Sequence, residues 1–448
     1  MIPLLIHDAL IINEGRSFTG SVLVEVDHIV RVFEGKVPES VLSACKMVDA
    51  SGKWLIPGVI DDHVHFRDPG LTHKADLTTE SKAALAGGVT SFMDMPNTLP
   101  QTTTIQAWQE KMEIAAEKSF ANYSFYLGAT NDNLFELEKA DYSQVCGVKV
   151  FMGSSTGNML VGQKESLEAI FKTIPSIIAV HAESEAIIQA NKAKYTEELG
   201  GDLPLRYHPL IRSSEACYAS SAIAVEMAAR YHSRLHVLHV STEKELSLFE
   251  NAPLASKRIT AEACVSHLWF DDADYEHYGN AIKCNPAIKT RQDKEALRAA
   301  VAGNLLDVIA TDHAPHLWAE KQGNCLTAAS GSPSVQFSLP LMLELVHQGV
   351  FCKEKVIEKM CHAPSDLYRI DKRGYIREGY YADMVLIDPQ ASWTLSGKQI
   401  LSKCGWSPFE GQHFHTCVYQ TYLNGKLVYE QNKPHETKAS KALKFHFE

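Results

Sequence analysis

Between residues 57 and about 312, short apolar runs alternate with helix-like stretches eight times, and this rhythm constrains the fold more than any other feature. The runs are "GVIDDHVHFR", "GVTSFMDMPN", "NYSFYLGAT", "CGVKVFMG", "SIIAVHAES", "RLHVLHVST", "RITAEACVSHL" and "LLDVIATDH". Stretches such as "LTTESKAALAGG" and "SEACYASSAIAVEMAARYH" separate most of them. The connection between the third and fourth runs has room for only a short helix. Eight strand–helix units predict an α/β fold, a (β/α)8 TIM-like barrel. A doubly wound open sheet is the alternative with the same rhythm.

Both ends of the chain read differently. "LLIHDALII", "SVLVEVDHIVRVF" and "KMVDASGKWLI" precede the barrel as short β segments. The β rhythm returns after about residue 375 in "YYADMVLIDP" and "VYQTYLNGKLVYE", where Asn424-Gly425 signals a hairpin turn. The expectation is a barrel over 57–375 and a small discontinuous β-sandwich from 1–56 and 376–448. The Lys-rich final dozen residues are expected to pack poorly.

Composition narrows the function classes. The net charge of −11 without a long basic run argues against nucleic acid or an anionic membrane as the main partner. No apolar stretch approaches the roughly 20 residues of a membrane span. "MIPLLIHDALIINEG" lacks a basic leader region, and the ten cysteines form no Cys-x-x-Cys pair. The expectation is therefore reduced thiols and a cytoplasmic protein.

In a barrel, chemistry gathers at the C-terminal ends of the strands. His63, His65 and Arg67 alternate along the first run, so an extended strand would place all three on one face. His181 ends the fifth run, His239 the sixth and Asp312 the eighth, while Lys149 sits among valines in the fourth. Neutral imidazoles and a carboxylate suit zinc and similar ions. A satisfied core histidine or a capping aspartate explains any one of these residues alone. Six on five strands point to a metal centre. Burial lowers a lysine's pKa, and a neutral Lys149 amine can react with carbon dioxide to give an anionic carbamate. An ordinary Lys149–Asp312 pair is the simpler reading of that position.

Together, "HVHFR", "MPNT", "VKVFMG", "HAES", "HVST", "NP" and "DHAPH" resemble the dihydroorotases of the amidohydrolase superfamily, over nearly the whole chain. The resemblance implies two Zn2+ per chain. His63 and His65 would bind one ion and His181 and His239 the other. Carboxylated Lys149 and a hydroxide would bridge them, and Asp312 would complete the first site. It further implies that Arg67, Asn97, Asn285 and His316 hold the substrate, and that Asp312 moves the proton as hydroxide attacks the ring carbonyl. The implied reaction is the reversible closure of N-carbamoyl-L-aspartate to L-dihydroorotate, in pyrimidine synthesis. The partner would be a small molecule, and a homodimer is compatible with the resemblance.

Hydantoinases, dihydropyrimidinases and allantoinases share His-x-His. Arg67, Asn97 and His316 are what set dihydroorotases apart. A non-catalytic scaffold is the alternative of another class, and it should have lost ligands. One departure stands out: many relatives read Pro-Gly-Leu-Glu where this chain has Pro333-Ser334-Val335-Gln336. The loop before it, about Ala329 to Ser332, would offer main-chain contacts to the substrate ring.

Overall fold

The computed structural model describes residues 2–153 and 159–446. Eight strands carry the central α/β region: β1 (Val59–Val64), β2 (Val89–Asp94), β3 (Asn122–Phe125), β4 (Val148–Phe151), β5 (Ile177–His181), β6 (Arg234–Val237), β7 (Ile259–Cys264) and β8 (Val308–Ala310). β1, β2 and β3 pair in parallel, and β4 to β8 pair in parallel in chain order. Leu127–Gly128, just past β3, pairs with β4 and joins the two groups. At the far end Val64 bridges His313 in parallel, and His313 O accepts from His65 N at 2.8 Å. This order is consistent with a (β/α)8 barrel.

The strands are apolar runs buried on both faces, as parallel strands covered by helices must be. All five residues of β5, Ile-Ile-Ala-Val-His, are buried. Helices begin where the sequence supplies caps: Asp76 accepts from Thr79 N ahead of Leu77–Ala86, and Thr290 accepts from Asp293 N ahead of Arg291–Ala302. The connection between β3 and β4 holds only the short helix Leu134–Glu138.

The two chain ends form one continuous nine-stranded sheet. Its seam is the antiparallel pairing of Trp54–Pro57 with Met384–Asp388. The expected hairpin turn is present: Leu423 pairs with Lys426, and Asn424 and Gly425 both have positive φ (47° and 76°), the geometry of a type I′ turn.

The C-terminal segment corrects an expectation. It does not pack poorly: Leu443 and Phe445 are buried, and Leu443 N donates to Tyr123 O at 2.9 Å. Two apolar side chains spaced by two residues dock it beside β3, and Lys444 between them faces outward. No helix among the described residues is long and apolar enough to cross a membrane. All ten cysteines are unpaired.

Candidate metal-dependent active site

β1 ends at Val64, so only His63 lies within it. Arg67 has φ of 66°, which breaks the simple alternation expected for His63, His65 and Arg67. The three still converge, because the chain turns over the strand ends instead of running straight.

His63 Nε2 and His65 Nε2 approach the same oxygen, Asp312 Oδ1, at 3.3 and 3.1 Å. The remaining ring nitrogens are fixed from behind. His63 Nδ1 lies 3.0 Å from Glu262 Oε1, and His65 Nδ1 lies 2.7 Å from Asn97 Oδ1. An acceptor behind Nδ1 directs Nε2 into the site, the usual support for a metal-binding histidine. Burial pushes both imidazoles down to about 4, so both are neutral and offer lone pairs at neutral pH.

His239 and Asp312 follow β6 and β8 by two residues, and both have positive φ, 39° and 47°. Such a backbone costs energy outside glycine and gathers at functional sites. His239 packs against His63 with ring centres 5.2 Å apart, and its Nε2 meets His181 Nδ1 at 2.8 Å. His239 Nδ1 is buried without a partner. His181 Nε2 lies 2.9 Å from Glu183 Oε2, which also receives Arg212.

Lys149 is buried beside this group, with Nζ 4.7 Å from the Phe151 ring centre. Burial brings its amine down to about 7, although Asp312 and Glu262 pull the other way. Burial would raise the Asp312 carboxyl, but His63, His65 and Lys149 hold it well below the usual range.

Above this set, the buried Arg67 donates from Nε to Pro315 O at 3.2 Å, and its Nη2 lies 3.3 Å from His316 Nε2. It forms no ion pair with a carboxylate among the described residues. His316 Nδ1 faces Lys74 Nζ at 3.2 Å. A neutral imidazole accepts at only one nitrogen, yet both of these face cationic donors. Burial, then Arg67 and Lys74, push His316 down to about 2. Glu320 is the nearby counter-charge, 2.8 Å from Lys74. Asn285 Oδ1 is buried with no partner.

Three supporting residues escaped the sequence reading. Glu262 is fully buried and accepts from His63 Nδ1, from His239 N at 3.0 Å and from Cys264 Sγ at 3.1 Å. Burial, with Asp62 beside it, pushes its carboxyl up to about 8. A glutamate inside the apolar β7 run "ITAEAC" was the available signal. Glu183, in the quoted "HAES", was the second. Lys74 lies in a loop with no pattern around it.

The donor set fits divalent metal. His63, His65 and Asp312 offer ligand atoms within 4.8 Å of one another. His181 and His239 stand beside this group with their rings hydrogen-bonded to each other, His181 Nε2 held by Glu183, and His239 Nδ1 buried and unpartnered among the described residues.

The amidohydrolase family signature matches residues 54–428. A dihydroorotase from Methanosarcina mazei is 32% identical over 386 residues, covering 83% of each chain. The chain belongs to the amidohydrolase family, in its dihydroorotase branch. A dihydroorotase from Halobacterium salinarum is 33% identical over 391 residues, covering 86% of this chain and 88% of the relative. Among solved structures, the L-hydantoinase (dihydropyrimidinase) from Arthrobacter aurescens superposes with a TM-score of 0.93 at 26% identity, over 99% of this chain and all of that one. The backbone is thus shared with enzymes named for other cyclic amides, and the substrate must be argued from side chains.

Proposed function

We propose that this protein is a zinc-dependent dihydroorotase that interconverts N-carbamoyl-L-aspartate and L-dihydroorotate. The observation that carries the substrate choice is Arg67. A buried guanidinium with no carboxylate partner among the described residues, beside a neutral His316 and Lys74, lacks an anion. Guanidinium binds a carboxylate through two parallel hydrogen bonds. Dihydroorotate carries that carboxylate on its ring, whereas hydantoin and dihydrouracil do not.

The strand order supports a closed (β/α)8 barrel over 57–375, with the discontinuous β unit from 1–56 and 376–448 beside it. His63, His65 and Asp312 would hold one Zn2+, and His181 and His239 the other. Lys149, as its carbamate, would link the two. When bound, the ions supply Lewis acidity toward the amide carbonyl and acidify a water nucleophile. Asp312 then accepts the proton of the attacking water and delivers it to the leaving ring nitrogen. Arg67 and His316 clamp the carboxylate at the rim. Asn97 keeps its amide NH2 for the ligand while its oxygen holds His65. Asn285 Oδ1 is free to accept from a ring N–H. The setting favoured is the cytoplasm, with a small molecule as partner and room for a homodimer.

The test is Arg67→Ala assayed on dihydroorotate and on neutral dihydrouracil. Losing one member of a buried charge pair costs about 3–5 kcal/mol, a hundredfold or more in rate. Turnover of dihydroorotate should fall by that factor with metal content unchanged, and any turnover of dihydrouracil should not fall. Equal losses on both rings would overturn the carboxylate role.

A further inference from the structure

A second group of metal-ligating side chains lies away from the catalytic set and shares no residue with it. Glu344 and His347 sit three apart on the helix Ser338–His347, so their side chains share one face. His413 lies on the two-residue strand His413–Phe414 and His415 follows it directly, while Phe414 between them is buried against Trp393. His415 Nδ1 lies 3.1 Å from both Glu344 oxygens, and His415 N donates to Oε2 at 3.2 Å. The His347 and His415 rings stack with centres 3.9 Å apart, and His413 meets His415 edge-on at 4.9 Å. Ligand atoms of Glu344, His347 and His415 all lie within 4.8 Å of one another.

Charge makes this more than a cluster. The Glu344 side chain is only 4% exposed, yet its sole ion-pair partner among the described residues is His415, which is 41% exposed. A buried carboxylate is costly unless paired, and this one has only the half-exposed His415 beside it. The His347 ring makes no hydrogen bond among the described residues. His413 is held by Thr394 Oγ1 and Ser392 Oγ at the rim.

We propose that Glu344, His347 and His415 form a second zinc site, with water in the fourth position. Two imidazoles and a carboxylate are zinc ligands, whereas magnesium and calcium take oxygen sets. The ion would fasten the C-terminal segment 393–416 to the helix that follows β8. The proposal is independent of the catalytic reading.

The experiment compares the zinc-equilibrated full-length protein with His347→Asn, an exposed helix-end change. After dialysis against buffered Zn2+, wild type should retain one more zinc per chain than the variant, with hydrolytic activity equal. Added Zn2+ should raise the thermal midpoint of wild type more than that of His347→Asn. Equal zinc content would overturn the site. A measurement on wild type alone guards against a misfolded variant: zinc should protect His347 and His415 from diethylpyrocarbonate, followed by peptide mass spectrometry. Unchanged labelling would also overturn it.

Discussion

At the scale of single residues, the site depends on protonation states set by burial. Lys149 must be neutral to react with carbon dioxide, and its amine sits at about 7. Below that pH it is an ammonium and inert. Above it the amine is free. Metal-free protein given Zn2+ and bicarbonate should therefore regain activity faster as pH rises through about 7, read as the rate of reactivation. Lys149→Ala should lose metal and activity, and short carboxylic acids should restore part of both. Asp312→Asn keeps the shape but cannot take up a proton. Its kcat should drop about 10²–10⁴-fold, the usual share of general acid–base catalysis. His63, His65, Lys149, His181, His239 and Asp312 could all be singled out in the sequence, because a polar residue inside or just past an apolar strand needs a reason. Glu262 obeys the same rule but is harder to read, since a lone glutamate in a strand lacks the paired-imidazole pattern that marks a metal site. Lys74 was illegible, since its role depends on where a loop folds.

At the scale of elements, the strand positions were readable because buried parallel strands are short apolar runs bounded by turns. Each of β1 to β8 lies inside one of the eight runs. Their ends were less readable: the alternation implied for His63, His65 and Arg67 fails because β1 stops at Val64 and the backbone turns left-handed at Arg67. The change at Pro333-Ser334-Val335-Gln336 also becomes intelligible. Ser334 N and Val335 N donate to His313 Nδ1 at 2.9 and 3.2 Å, so the main chain does the holding and side chains can vary. The loop before it is clamped by Lys321, whose fully buried ammonium donates to the carbonyls of Lys283, Ala329 and Gly331 at 3.0, 3.0 and 2.8 Å. Lys321→Met keeps the length and removes all three bonds; Lys283 O still accepts from Gly331 N at 2.8 Å, whereas the Ala329 and Gly331 carbonyls lose their Lys321 donor, at about 1–3 kcal/mol each. If the loop contacts the substrate ring, KM should rise by more than kcat falls. A kcat loss at constant KM would place the loop's role elsewhere.

At the scale of the whole molecule, the two chain ends belong to one sheet, a pairing between strands more than 300 residues apart. The sequence showed β segments at both ends but carried no signal for which strands would meet. The docking of the last residues was missed for a related reason: two apolar side chains among lysines look like a solvated tail until β3 supplies a groove. Leu443→Ala should lower stability by about 2–5 kcal/mol, as for other buried leucines, read from the denaturant midpoint. The backbone itself does not choose between cyclic amides, since a hydantoinase superposes over 99% of the chain. The most direct measurement is kcat/KM of the purified zinc-loaded protein on L-dihydroorotate, hydantoin, dihydrouracil and allantoin side by side. Dihydroorotate should be preferred by at least about a hundredfold, the worth of one buried carboxylate–guanidinium pair. A higher kcat/KM on any of the three neutral rings would contradict the assignment as a dihydroorotase.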